Sequence, residues 1–570
     1  MVDRITSELI RSSLLHASEE MGIALRNASY SPNIKERMDH SAAIFDASGR
    51  LLAQAEHIPV HLGSLPWGVA NILERCRAED MSLEQGSMVV TNNPYVAGTH
   101  LNDITLVRPI YHAGRAVAFA ANKAHHADVG GRVPGSVSVD ARSLHEEGLV
   151  INPTYLVRGD EFERAVMSLI TSNSRTPEER SGDLKAQVAA NHVGERRVLE
   201  IIERYGLQNF VESAELAFSY AEKMMRARLG RLSPGEYSAV DYLEDPGGRE
   251  IRLKLKVTLG EDSRIIFDYT GTAEQVGNPM NSVFGVTLSG VHYVVRALLG
   301  DDVPANHGAF SMLRVRAPEG TIINPTYPRP VAIGNLETIQ RNADLIFRAL
   351  SMALPGRVPA ASGGSMNNVM MGGFHRNRTW AFYETIGVGL GARPEMDGLD
   401  GIQCNMTNTM NTPIEDIERT LPVIVRRYEF RPDSSGAGRF RGGCGLIRMF
   451  EMTSGESTTV TVVADRSSRR PPWGLAGGKD GFPVEVVLHR CNVRKRGVVI
   501  PVKSTLILGR GDALEIRTAG GGGFGRAEER GRDKIKQDLS GGLLSRSYVR
   551  KYYPWYFKHR RKRDEKLASA

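Results

Sequence analysis

Apolar residues return at helical spacing over residues 3–27, where Ile5, Leu9, Leu14, Leu15, Ile23 and Leu25 recur and Ser31-Pro32 ends the run. Short alternating segments follow at Ser41–Phe45 and Arg50–Ala53, joined by Asp46-Ala-Ser-Gly49, a hairpin composition. Leu65–Cys76 predicts a helix, and residues 86–128 predict strands punctuated by Gly, Pro and Asn. Two long helices are predicted at Glu178–Tyr205 and Val211–Leu229, the second stopped by Leu232-Ser-Pro-Gly235. Ile251–Val257 alternates strictly, which marks a half-buried strand, and Val286–Leu299 and Asp344–Leu354 return to helical spacing. From Val423 onward the chain is short strands and Gly-rich turns, closing at Ala519–Gly525. The pattern predicts an α+β protein of several subdomains, with antiparallel hairpins and sheets, long helices and a strand-rich C-terminal part. We divide it at 1–230, 231–422, 423–530 and 531–570.

Composition narrows the class. The 570 residues are ample for a buried core, and 41% apolar with 24% charged residues is ordinary for a soluble protein. No apolar stretch predicts a membrane span, and the acid-bearing start predicts no secretory signal. Cys76, Cys404, Cys444 and Cys491 lie far apart without a CxxC pair, so a reducing, cytoplasmic setting is expected. Residues 546–570 hold nine basic and two acidic side chains, a surplus equal to the whole net charge of +7. The body is therefore neutral, which argues against a nucleic-acid enzyme. The aromatic-interleaved tail reads first as a partner-docking or solvated extension, and second as a membrane or RNA contact.

Candidate chemistry gathers on one hairpin. Ile104–Tyr111 and Ala116–Ala124 are strand-like around the turn His112-Ala-Gly-Arg115. That turn pairs Tyr111 with Ala116, which places Asp103 opposite Ala124 and His125 opposite Asn102. His100 lies just outside on the same loop. Cross-strand neighbours sit about 5 Å apart, so His100, Asp103 and His125 are within reach of a shared cation. Two imidazoles and a carboxylate suit one divalent transition metal such as zinc, manganese or iron, and an open position on it activates water. The competing reading makes His100 a loop cap, Asp103 a turn acid and His125 a strand-end residue bonded to backbone. His126 is expected on the opposite face, as a substrate-side or supporting group, and Asp128 either orients an imidazole or closes a turn.

Around these residues stand Gly98-Thr-His-Leu-Asn-Asp103 and His125-His-Ala-Asp-Val-Gly-Gly131. With Lys35–Asp39, His57–Gly63, Phe267–Thr272, Gly334–Gln340, Arg357–Ser362, Met366–Asn368, Met406–Thr409, Pro472–Gly474 and the glycines of 520–525, they resemble the hydantoinase B family over roughly residues 3–530. That family includes B-type subunits of ATP-dependent hydantoinases, oxoprolinases and lactamases, and the related subunit of ketone carboxylases. The resemblance implies Asp39 as a fourth ligand beside His100, Asp103 and His125. It implies an A-type partner, in an α2β2-like hetero-oligomer, that uses ATP to phosphorylate the substrate carbonyl before this subunit delivers water. The implied substrate is a small cyclic amide. The alternatives are a ketone-carboxylase subunit using bicarbonate and a non-catalytic binding subunit. Gln403-Cys404-Asn405 stands where many members are expected to carry histidine, which predicts hydrogen bonding to a neutral substrate there.

The remaining motifs carry less. Gly474–Lys479 lacks the spacing and the Ser/Thr of a phosphate loop, and Ala519–Gly525 lacks its lysine, so both are expected to be tight turns. Ala361–Ser365 has the wrong spacing for a nucleophile elbow, and Cys404 reads as a packed thiol before a nucleophile. His57 and His61 flank Pro59, which disfavours a helical ligand pair and suggests a pocket loop. Asn335 and Glu337 follow Pro330–Ile333, read as a strand end, and are pocket candidates, Glu337 as a catalytic one.

Overall fold

The computed structural model describes residues 2–55, 57–260, 264–300, 302–493 and 497–557. Helix α1 (Arg4–Ala28) starts where the Asp3 carboxylate accepts from the Ile5 and Thr6 amides, satisfying two otherwise unpaired donors. A seven-stranded sheet follows, ordered β2-β1-β5-β4-β3-β6-β7. Its strands are β1 (His40–Asp46), β2 (Leu51–Ala55), β3 (Met88–Thr91), β4 (Asp103–His112), β5 (Arg115–His125), β6 (Thr154–Arg158) and β7 (Glu161–Phe162). Because successive strand residues face opposite ways, Ala42 and Ile44 pack under α1 and α4 (Pro177–Tyr205), while Ala43 and Phe45 pack against α2 (His61–Ala78). The sheet is buried on both faces, and its central strands accordingly read as apolar runs rather than alternations.

Helix α3 (Arg164–Ser172), absent from the expectations above, precedes α4, and α5 (Leu207–Leu229) follows it. A second sheet holds β8 (Gly235–Glu244), β9 (Glu250–Leu259), β10 (Ile265–Asp268) and β11 (Leu313–Arg316), with β10–β11 parallel. Its inner side shares the largest core with α6 (Phe284–Leu299) and α7 (Ile339–Leu350). Beyond them, β12 (Asn368–His375) and β13 (Arg378–Glu384) join two C-terminal strands in a sheet that packs on a five-stranded one through Val369, Trp380, Phe450, Val460 and Leu514. The α+β, multi-sheet reading holds.

Four local expectations are corrected. The β4–β5 turn is as predicted, with Ala113 at φ 49° and Gly114 at φ 75°, matching a two-residue hairpin turn. However, a β-bulge between Ile110 and Tyr111 shifts the register by one, so Asp103 pairs with His125 itself and Ile104 with Ala124. Residues 334–338 are a π turn running into α7, not the sequel to a strand; the Glu147 carboxylate accepts the Val331 and Ala332 amides and so starts a helix there. The glycines of 519–525 are interlocked segments rather than tight turns. A Cβ on Gly521 would sit 1.9 Å from the Leu390 carbonyl oxygen, and one on Gly442 would meet Gly521 at the same distance. Lastly, much of the 531–570 tail is structured. Arg532–Ser540 (α8) and Arg546–Tyr552 (α9) fold back, burying Tyr548, Val549 and Tyr553 against Ala437, because these aromatics form an apolar face. The basic run 558–570 lies outside the described residues.

Candidate metal centre

The bulge-corrected register brings Asp103 and His125 face to face at the open end of the β4–β5 hairpin. The His125 amide donates to the Asp39 carbonyl at 2.9 Å, which ties the entry of β1 to the end of β5. Met38, at φ 56°, turns the chain just before Asp39 in a conformation that only a well-packed surround sustains. His100 sits on the loop capped by Gly98, and the buried Lys123 ammonium holds that loop through the Ala97 carbonyl at 2.6 Å. His61 enters from the start of α2, its Nδ1 bonded to Ser41 Oγ at 2.9 Å.

Three donor atoms converge. His100 Nε2 lies 3.1 Å from His125 Nδ1 and 3.3 Å from Asp103 Oδ1, and His125 Nδ1 lies 3.1 Å from the same oxygen. His61 Nε2 stands 3.5 Å from Asp103 Oδ2, and neither atom has a hydrogen-bond partner. Among the described residues the Asp39 carboxylate, which lines the same cavity, accepts no side-chain or backbone hydrogen bond. Burial pushes Asp103 toward protonation, but the facing His100, His125 and His61 outweigh it and hold its carboxyl well below the usual range. Burial lowers His61 and His125, keeping both neutral. A buried carboxylate facing imidazoles, with unpartnered polar atoms in a small enclosed cavity, is costly alone and suits a divalent cation. The residues present fit the metal.

The walls come from distant chain. Asn335 and Leu336 of the π turn, Met366, Tyr383, Thr385, Met406 and Thr407 enclose a cavity of about 20 Å³, room for one water-sized sphere. The Tyr383 ring lies 4.4 Å from the His125 ring, its hydroxyl donates to Asn368 Oδ1 at 2.6 Å, and Arg37 sits 5.1 Å from its ring centre. Tyr383 also lines an open groove of about 1040 Å³ on its far side. Sequence reasoning placed His61 on a pocket loop but not beside Asp103, and it missed Tyr383 altogether. His61 carried a signal, a histidine at a helix start after proline, whereas Tyr383 lies in another sheet and carried none.

The other candidates lie around this core. His126 faces α4, donating from Nε2 to Gln187 Oε1 at 2.9 Å, because Gln187 spends its own amide on the Ile104 carbonyl and Asn122. Burial, then the nearby Arg180, depresses its pKa to about 3. Asp128 accepts from Gly130, Gly135 and Arg175 and pairs with the Arg175 guanidinium at 3.0 Å, so it ties loops rather than an imidazole. Glu337 Oε1 accepts from Ser365 Oγ at 3.1 Å and from the Met366 amide, while Oε2 has no partner. Burial, then Asp465, pushes its carboxyl up to about 8. Gln403 donates to Thr385, Asn405 turns away to Asp344, and burial pushes the Cys404 thiol up to about 12. His57 packs on His40 with ring centres 4.9 Å apart, outside the cavity.

Residues 3–527 match the family described as hydantoinase B/oxoprolinase. An uncharacterized protein of Methanocaldococcus jannaschii is 45% identical over 95% of this chain and 94% of its own length. A 5-oxoprolinase of Dictyostelium discoideum is 34% identical over 92% of this chain, which spans 41% of that longer relative. In three dimensions the ATP-dependent caprolactamase of Pseudomonas jessenii superposes with a TM-score of 0.90 at 29% identity, covering 96% of both chains. No helix among the described residues is long and apolar enough to cross a membrane. With one family spanning nearly the whole sequence, and relatives alike in both sequence and fold, the chain belongs to the hydantoinase B/oxoprolinase family.

Proposed function

We propose that this chain is the ring-attacking subunit of an ATP-dependent enzyme that opens small cyclic amides, of the hydantoin, oxoproline or lactam kind. The observation that carries the reading is the buried triangle of His100 Nε2, His125 Nδ1 and Asp103 Oδ1, with unpartnered atoms of His61 and Asp103 beside it. Asp39, His100, Asp103 and His125 would hold one divalent transition metal, zinc, manganese or iron, with His61 against Asp103. When bound, such an ion supplies a nucleophile from water near neutral pH and polarises a carbonyl oxygen. The protein's own part is to disfavour protonation of His125 through burial, to orient His125 beneath Tyr383, and to exclude bulk water. His126 and Asp128 support this frame from behind through Gln187 and Arg175. Glu337, protonated at neutral pH, steadies Met366 on the cavity wall and its neighbour Ser365.

An unstrained amide is a poor electrophile, so activation is needed, and the sequence offers no phosphate loop for ATP. A separate A-type subunit that phosphorylates the carbonyl oxygen would supply it. The Dictyostelium relative, of which this chain spans 41%, has length in a single chain for such a second part. The test is to assay this chain alone and with the A-type protein on hydantoin, oxoproline and lactams, with ATP. Alone it should be inert, and the pair should open rings with ATP consumed. Oxygen from labelled water entering the new carboxylate supports hydrolysis, whereas carbon from labelled bicarbonate in the product replaces this reading with carboxylation.

A further inference from the structure

Among the polar groups lining the cavity, Asn335 has no assigned task. It is 4% exposed and lies in the cavity wall with Asp39, His61, His100, Asp103 and His125. Its Oδ1 has no hydrogen-bond partner, and no hydrogen bond from its Nδ2 is found among the described residues. A buried carboxamide left unpaired opposes folding, so folding alone gives no reason for it. Its backbone is firmly placed: the Asn335 amide donates to the Val331 carbonyl, and Gly334 is pressed so close that a Cβ there would meet the Asn281 oxygen at 1.8 Å. The π turn shifts this segment out of the α-helical register, a device common at functional sites.

We infer that Asn335 is the residue that binds the substrate's amide edge and selects ring amides over open-chain ones. This rests on the proposed ring-opening function. A carboxamide offers an acceptor and a donor side by side on one edge. Ring closure forces a small cyclic amide into the cis form, which presents its N–H and C=O side by side as well. The two edges match as a pair of hydrogen bonds, Oδ1 accepting from the ring N–H and Nδ2 donating to the ring carbonyl. An open-chain secondary amide is trans and presents these groups on opposite sides, so it makes one bond where the ring makes two. After phosphorylation of the oxygen with loss of the N–H proton, the carboxamide turned about its Cβ–Cγ bond donates from Nδ2 to the bare ring nitrogen. Admitting a ring requires the 20 Å³ cavity to widen, and two of its lining side chains, Met366 and Met406, are unbranched thioethers that can repack.

The test uses the full metal-loaded chain, with ligand-observed NMR titrations of 2-pyrrolidinone, N-methyl-2-pyrrolidinone and N-methylacetamide. Wild type should bind 2-pyrrolidinone at least about tenfold more tightly than the other two, and Asn335→Leu should lose that preference. Asn335→Asp, close in shape but acceptor-only, guards against a folding defect and should also lose it while keeping its metal and its melting temperature. In the assembled complex, both variants should lower ring opening about tenfold to a hundredfold while the partner continues to consume ATP. Equal preference in wild type and Asn335→Leu overturns the assignment, as does loss of metal from Asn335→Leu, whose side chain has no donor atom, which would make Asn335 a ligand. If the wild-type complex opens no ring at all, the proposed function itself fails, and this inference with it. Normal ring opening by both variants leaves that function standing and removes Asn335 alone.

Discussion

Removing one imidazole from a triangle only about 3 Å on a side leaves an ion with too few strong donors. His125→Ala and Asp103→Ala should therefore lose most tightly held metal by elemental analysis while keeping a wild-type circular dichroism spectrum. Full retention by both would refute the centre. His61→Ala, which removes a group 3.5 Å from Asp103 and not in the triangle, should weaken retention less. A second residue-scale expectation concerns pH. The Glu337 carboxyl, pushed up by burial to about 8 from an ordinary 4.5, keeps its proton in the fold where the unfolded chain would lose it. Its contribution is complete below pH 4.5 and is lost as pH rises toward 8, by up to about 1.4 kcal/mol per unit. Glu337→Gln keeps a neutral acceptor for Ser365 and Met366, so it should flatten this slope. Denaturant midpoints at pH 6 and pH 8.5 would measure it, and identical slopes in both proteins would contradict the assignment.

At the scale of elements, the site depends on two one-residue irregularities, the bulge in the β4–β5 hairpin and the π turn before α7. Both set the register of a side chain that lines the cavity, and both were illegible. The hairpin's tip was readable from Ala113-Gly114, but nothing in Ala116-Val117-Ala118 marks where an extra residue is accommodated, so the predicted pairing missed Asp103–His125 by one. Residues 331–350 are almost wholly buried, so periodicity cannot reveal an inserted residue. By contrast, α1, α4 and α5 were legible within a few residues because their polar faces meet solvent. Gly334→Ala tests the π turn directly. Its new Cβ would overlap the Asn281 carbonyl at 1.8 Å, so it should cost about 1–3 kcal/mol and displace Asn335. A fully stable variant with unchanged ligand preference would show that the turn is not held there.

Over the whole molecule, the centre draws residues from both the first and the second of the sequence-predicted regions, so neither can carry it alone. Asp39, His61, His100, Asp103 and His125 come from 1–230, and Asn335, Met366, Tyr383 and Met406 from 231–422. The C-terminal segment belongs elsewhere. Tyr553 exchanges hydrogen bonds with Gly438, Tyr548 donates to the Ser435 carbonyl, and Arg530 joins Asp397 to Asp538. The sequence showed the aromatic and basic residues of this tail but not which of them would be covered, since that depends on the interlocked glycine segments they pack against. Two truncations separate these roles. Deleting 558–570 removes most of the positive charge while sparing every buried aromatic, and should leave denaturant stability unchanged. Deleting 546–570 strips Tyr548, Val549 and Tyr553 from their seat on Ala437, and should cost about 3–5 kcal/mol or more. Because no cavity-lining residue among the described ones lies beyond Thr407, both forms should still bind metal at the wild-type ratio at low temperature. If the longer deletion is as stable as the full chain, the aromatic tail is a docking arm after all; if it is folded but metal-free, the centre depends on the C-terminal sheets.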